Sequence, residues 1–234
     1  IVEMRITAPL SRILYPVFHH VFHVSENGCY PVLIGFLSGI PVGAKTTADM
    51  LHRGELTREE GQYLLALCNN ASPMFILSYI TLTQLNKPNL RIAMIIILYS
   101  SALISARTWK FFDKRNRKRS LSDDSFSLTV DAAKNQSLRD DSRFDFKKLD
   151  KSIMDAFDII TRVGGYVILF SIAAQIFSDV GTAGSLIKTV ILGFIEITTG
   201  VNKISTSAFS MDTKIALITM VTAFGGLSGL AQTK

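Results

Sequence analysis

The run Asn89 to Trp109 constrains this chain more than any other stretch. It supplies about twenty mostly apolar residues, enough for a helix to cross the ~30 Å hydrocarbon layer of a bilayer. It ends on an interfacial tryptophan, and "KFFDKRNRKR" (Lys110 to Arg119) follows with six basic residues and one acidic residue. Alone, such a cluster fits a nucleic-acid patch. Directly after an apolar span it reads as a positive-inside anchor, so Trp109 is expected at the cytoplasmic end and no nucleic-acid partner is expected. Backbone N–H and C=O groups inside hydrocarbon must find partners within the chain, which limits the solutions to helices or closed barrels.

Composition agrees with a membrane domain carrying one hydrophilic insert. The chain has 234 residues, 48% hydrophobic, with mean hydropathy +0.30 and net charge +6. Much of its ionisable content lies between Lys110 and Lys151, where a Ser- and Asp-rich stretch lacks helical periodicity. This predicts a flexible cytoplasmic loop over 110–150 between a first half at 1–109 and a second at 151–234. The opening on Ile1 and the end at "GLAQTK" read as a piece of a longer chain, and no secretory signal pattern is visible. Cys29 and Cys68 lie in or beside apolar segments, where packing is their expected role.

The other apolar segments are broken. "GFLSGIPVGAKTTAD" places Gly35, Gly39, Pro41 and Gly43 inside what starts as a membrane helix, then sets Lys45 and Asp49 against the break. Gly54 supplies a turn, and Thr57 with Glu60 fits a capping box that restarts the chain. "CNNASP" (Cys68 to Pro73) interrupts the next apolar run. Leu149, Ile153, Phe157 and Ile160 recur at helical spacing, which predicts a helix that begins along the membrane surface and enters it near Val163. Beyond it, "LGFIEITTGVNK" carries Glu196 and Asn202 within an apolar run, and "AFGGLSGLAQ" carries Gly225, Gly226 and Gly229. His19, His20 and His23 close an interfacial first segment, and their expected role is interfacial rather than metal binding.

The two halves thus share a pattern of breakage without shared letters. Unwound backbone survives at membrane depth only when buried in protein or lining a wet cavity, and paired interrupted segments point to a midplane binding site. Glycine and proline also permit simple kinks and close helix packing, a reading that stands for the last block. In the first half the polar side chains exceed what packing requires, and a charge at depth costs about 2.5–3.5 kcal/mol on insertion scales unless paired or hydrated. Lys45 and Asp49, four apart, can pair on one helix face, or the helix has already left the membrane by Lys45. The expected fold is all-α, a polytopic helical membrane protein with two pseudo-repeated pairs of broken helices or re-entrant hairpins.

"SGIPVGAKTTADM…GELTREEG…LLALCNNASPMFIL" resembles the nucleoside-recognition, or Gate, domain family, and within it the YlbJ-type sporulation integral membrane proteins. "GFIEITTGV" and "FGGLSGLAQ" are similar to that family's Glu-containing and Gly-rich segments. The pattern of breaks is more distantly similar to concentrative nucleoside transporters. The resemblance implies a substrate site with Gly39, Pro41, Gly43, Lys45, Asn69, Asn70 and Ser72 on one side and Thr198, Thr199 and Asn202 on the other. It implies passage of a small polar or anionic solute, with dipicolinate during sporulation as the family's candidate.

A carboxylate repels an anionic solute unless it is protonated, binds a cation or pairs with a basic group. Glu196 is therefore expected to be a coupling-ion or proton site, or the partner of Lys45, Lys188 or Lys203. Its alternative role is a hydrogen-bonded staple between helices. The competing function is a non-transporting scaffold or sensor that works through the 110–150 loop. An enzyme is not expected, because no nucleophile–base set can be placed and "SGIPVGAKT" lacks the spacing of a nucleotide loop. No cofactor is expected. The expected partners are the lipid bilayer and a small solute, with a coupling cation and a homo-oligomer left open.

Overall fold

The computed structural model describes residues 7–120, 146–179 and 186–233, and among these residues the protein is all-α. The first half contains α1 (Thr7–Phe22), α2 (Cys29–Ser38), α3 (Val42–His52), α4 (Arg58–Cys68), a π-helix (Phe75–Gln84) and α5 (Arg91–Ser120). The second contains α6 (Phe146–Asp179), α7 (Leu186–Ile195), α8 (Ile197–Thr206), α9 (Met211–Phe224) and α10 (Gly226–Ala231). Among the described residues three lengths are long and apolar enough to cross a membrane: Pro88–Phe112, Leu149–Asp179 and Met211–Ala231.

Helix α5 runs through the basic cluster as far as Ser120, and α6 begins at Phe146. The expected 110–150 loop is therefore shorter at both ends, because the basic residues continue a helix already begun in the apolar run; the rest of it, 121–145, lies outside the described residues. Helix α6 is continuous from Phe146 through Val163, and Ile153, Phe157, Ile160, Ile168 and Ile172 on it are exposed, as suits a helix that faces lipid.

The four breaks fall where the sequence places them, at 39–41, 69–72, Glu196 and Gly225. The first break of each half turns the chain back on itself. Residues eight apart in a continuous helix are separated by about 12 Å along its axis. Yet a Cβ built on Gly43 would lie 2.6 Å from the Cα of Gly35, so α2 and α3 form a hairpin that closes glycine on glycine. The same happens in the second half, where a Cβ on Gly200 would run into the backbone of Gly193. Each crossing then receives one residue of the helix that follows: Cys68 of α4 against Gly35 and Gly43, and Val221 of α9 against Gly193. Any side chain larger than hydrogen at these glycines pushes the arms apart.

The second break of each half is different. Helix α4 and the π-helix barely touch, so they form no hairpin, and α9 with α10 continues as one length of 21 residues. Thr57 caps α4 by accepting from the Glu60 N–H at 3.2 Å, as expected, but the Glu60 carboxylate reaches across to the Ser25 N–H at 2.6 Å instead of back to Thr57. That bond ties the start of α4 to the turn that opens the first hairpin.

Two cores hold the arrangement. One buries Val32, Met50, Leu64, Leu67, Cys68 and Ala106 within the first half. The other joins the halves, packing Ile76, Ile80 and Met94 against Val201, Ile204, Ile218 and Val221. The open ends of the two hairpins point to opposite ends of the molecule. Lys110, just past the apolar part of α5, stacks on Tyr63 of α4 near the first hairpin's entry. The second hairpin's exit bonds Gln84 through Ser205 at 2.7 Å, near the start of α5.

Candidate functional site

All four breaks meet at one cavity of about 170 Å³. The first hairpin contributes Ser38 and Ile40, the first broken span Ala71, Ser72 and Phe75, and the second hairpin Glu196, Ile197 and Thr198. The second broken span adds Thr222, Gly225, Ser228 and Gly229, and Val167 of α6 and Gln232 complete the wall.

At the first tip, Gly39 has φ +73° and ψ −159°, a conformation open to glycine alone. A Cβ there would also lie 2.7 Å from the Ser72 nitrogen, so the tip lies directly against its own half's broken span. The Ile40 N–H donates to Asn70 O at 3.0 Å across the same contact, and the Ile40–Pro41 peptide is cis. The side chain of Ile40 then crosses into the second half. Its Cδ1 lies 3.3 Å and 3.5 Å from Cβ positions built on Gly225 and Gly229.

At the second tip, Glu196 is fully buried and serves as the N-cap of α8. Its carboxylate accepts from the Thr198 N–H at 3.0 Å, the Thr199 N–H at 2.6 Å and the Thr198 hydroxyl at 2.5 Å. These donors would be orphans at a helix start, and the partial positive charge of the helix N-terminus faces the carboxylate. Two tyrosines hold the walls in register. Tyr79 donates to Thr198 O at 3.0 Å, joining the π-helix to the second tip, and Tyr99 of α5 donates to Phe36 O at 3.0 Å.

Ser72, Glu196 and Thr198, all nominated from sequence, line the cavity. Gly39 and Pro41 shape the first tip, and Gly43 belongs to the helix crossing. Asn70 has a backbone role, its amide nitrogen donating to Leu67 O at 2.5 Å where α4 ends. Asn69 is half-buried outside the cavity wall, with a buried side-chain oxygen that no protein group reaches. Thr199 contributes its backbone N–H to Glu196, and Asn202 is exposed on α8.

Lys45 is half-buried on α3 and absent from the wall, and among the described residues no ion pair joins it to Asp49. Glu196 thus engages its own helix start rather than Lys45 or Lys203, while Lys188 donates to Ser178 O at 2.6 Å. Among the described residues no lysine or arginine lines the cavity, and Glu196 is the one acidic side chain in its wall. Ile40, Phe75, Thr222 and Gln232 are wall residues that sequence reasoning did not nominate. Only their nearness to a break could have marked them.

Comparison with known proteins gives a membrane protein as a relative. Over 242 aligned residues the chain is 24% identical to "Sporulation integral membrane protein YlbJ" of Bacillus subtilis (strain 168). The chain is similar to a sporulation membrane protein. The match covers 94% of this chain and 59% of YlbJ, so the chain spans about three-fifths of that relative's length. No protein-family model matches, and no solved structure does. With its three long apolar helices, the similarity to YlbJ places the chain among helical membrane proteins.

Proposed function

We propose that the chain is the substrate-handling part of a membrane transporter acting in sporulation, and that its solute passes through the cavity where the two hairpin tips meet. The observation that carries this reading is the convergence of all four helix breaks on one cavity, whose largely apolar wall carries the polar side chains of Ser72, Glu196, Thr198 and Thr222. Helix breaks are costly in hydrocarbon, and four independent kinks would have no reason to share one. The hairpin arms of 10 or 11 residues are about 15 Å long, half the hydrocarbon thickness, so tips entering from either side meet near the midplane.

A topology follows from the open ends of the hairpins. With Trp109 on the cytoplasmic side, α5 and α6 are joined there. The first hairpin enters and leaves on that side, and α4 with the π-helix crosses away from it. The second hairpin enters from the opposite side, and α9 with α10 returns. The halves are then inverted copies in arrangement, as in transporters built from inverted repeats.

The solute is a small polar or anionic molecule, with dipicolinate the candidate in a sporulating cell. Among the described residues the cavity carries a carboxylate and no basic side chain, so an anion enters when a proton or a cation neutralises Glu196. Uptake of labelled dipicolinate into proteoliposomes, with and without an imposed proton or Na⁺ gradient, tests this reading. Uptake driven by one of the gradients and lost in Glu196→Gln is the expected result. Gradient-independent uptake that is unchanged in Glu196→Gln removes Glu196 from the mechanism.

A further inference from the structure

We infer that Thr222 is the side chain that recognises the solute, its hydroxyl hydrogen-bonding an acceptor oxygen of the solute inside the cavity. This rests on the reading of the cavity as the solute site. Ser38, Ser72, Glu196, Thr198, Thr222, Ser228 and Gln232 are the wall's polar side chains, and among the described residues Thr222 Oγ1 is the one wall side-chain atom that is both buried and without a partner; three of the others are bonded within the protein. The Ser72 hydroxyl accepts from the Phe75 N–H at 3.3 Å, the Glu196 carboxylate accepts from the start of α8, and the Thr198 hydroxyl donates to Glu196. Thr222 lines the same cavity at 3% exposure, and its Oγ1 has no protein partner.

That is unusual for a helical threonine, which ordinarily bonds back to the carbonyl four residues earlier. Thr46, Thr47 and Thr81, equally buried, do so at 2.8, 2.9 and 2.6 Å. Thr219, one turn before Thr222 on α9, bonds Ile215 O at 2.7 Å. Only Thr222 among these forgoes the bond, although its helix offers the same carbonyl geometry.

The position has a counterpart in the other half. Thr222 follows Val221, which seats on the second glycine crossing, and Asn69 follows Cys68, which seats on the first. Asn69 Oδ1 is likewise buried without a protein partner. An unsatisfied polar atom immediately after each crossing recurs by position, so it belongs to the architecture. A buried donor without a partner destabilises the fold, and a ligand oxygen that accepts from it recovers that loss on binding.

The test compares Thr222→Val and Thr222→Ser in the purified protein, by thermal unfolding in detergent without solute and with dipicolinate as probe. Without solute, Thr222→Val is expected to unfold at the same or a higher temperature than the parent. With dipicolinate, its apparent Kd is expected to rise about tenfold or more, while Thr222→Ser stays within about threefold. A lower unfolding temperature for Thr222→Val without solute overturns the inference, because the hydroxyl then serves the fold. Unchanged dipicolinate affinity in Thr222→Val, with the parent binding normally, overturns it as well. If the parent shows no response to dipicolinate, the solute proposed above is wrong. The unfolding temperatures without solute still decide for or against Thr222.

Discussion

The two hairpins close in the same way and end differently. Both bring a glycine of one arm against a glycine of the other, Gly35 on Gly43 and Gly193 on Gly200, and both accept one residue of the next helix into the crossing. Their tips then meet the same difficulty, since a chain that reverses inside a protein leaves backbone donors without partners. The first tip solves it with backbone, as Ile40 N–H bonds Asn70 O, and it presents an apolar side chain to the cavity. The second solves it with a side chain, as Glu196 turns its carboxylate onto the start of α8. One shared closure therefore carries an apolar tip in one half and a carboxyl side chain in the other. The crossings account for shape, and the tips account for chemistry.

Replacing a crossing glycine breaks the comparison at its base. Gly43→Leu and Gly200→Leu are expected to lose about 3 kcal/mol or more of stability, because the side chain meets backbone that cannot yield. Gly165→Leu, where a Cβ meets nothing within 4 Å, is expected to fold normally. Recovery of monodisperse protein and its unfolding temperature in detergent measure both.

The tips separate at the next level of effect. Glu196→Ala leaves the Thr198 and Thr199 N–H groups without their acceptor and is expected to cost about 1–3 kcal/mol by thermal unfolding. Ile40→Val, at the half-buried first tip, is expected to cost less, about 0.5–1.5 kcal/mol in the same assay. Equal losses at the two tips would remove the distinction drawn between them. The smallest effect belongs to the ties between walls. Tyr79→Phe and Tyr99→Phe are each expected to cost about 1 kcal/mol, read as a small drop in unfolding temperature.

The breaks were legible because glycine, proline and polar side chains stand out in apolar runs, and Glu196 was legible as a carboxylate in such a run. Whether each break kinks the helix or reverses it as a hairpin stayed open. A kinked helix and a reversed one share the same hydropathy, and only the contact of Gly35 with Gly43 tells them apart. "FILSYITLTQ" reads as an ordinary apolar helix and folds as a π-helix, a difference of register that residue type does not encode. Lys45 drew attention as a charge beside a break, yet α3 places it outside the wall. Thr222 drew none, because its letter is the same as that of Thr219, whose hydroxyl is satisfied one turn away.

The central claim is that solute passes between the two halves where Ile40 meets Gly225 and Gly229. Ile40→Cys combined with Gly229→Cys, bridged by a short reducible thiol reagent, tests it directly, since Cys29 and Cys68 are buried away from such a reagent. The account predicts that the bridge forms in the folded protein, that dipicolinate uptake into proteoliposomes stops, and that reduction restores it. Uptake that continues at the parent rate with the bridge fully formed would contradict the account.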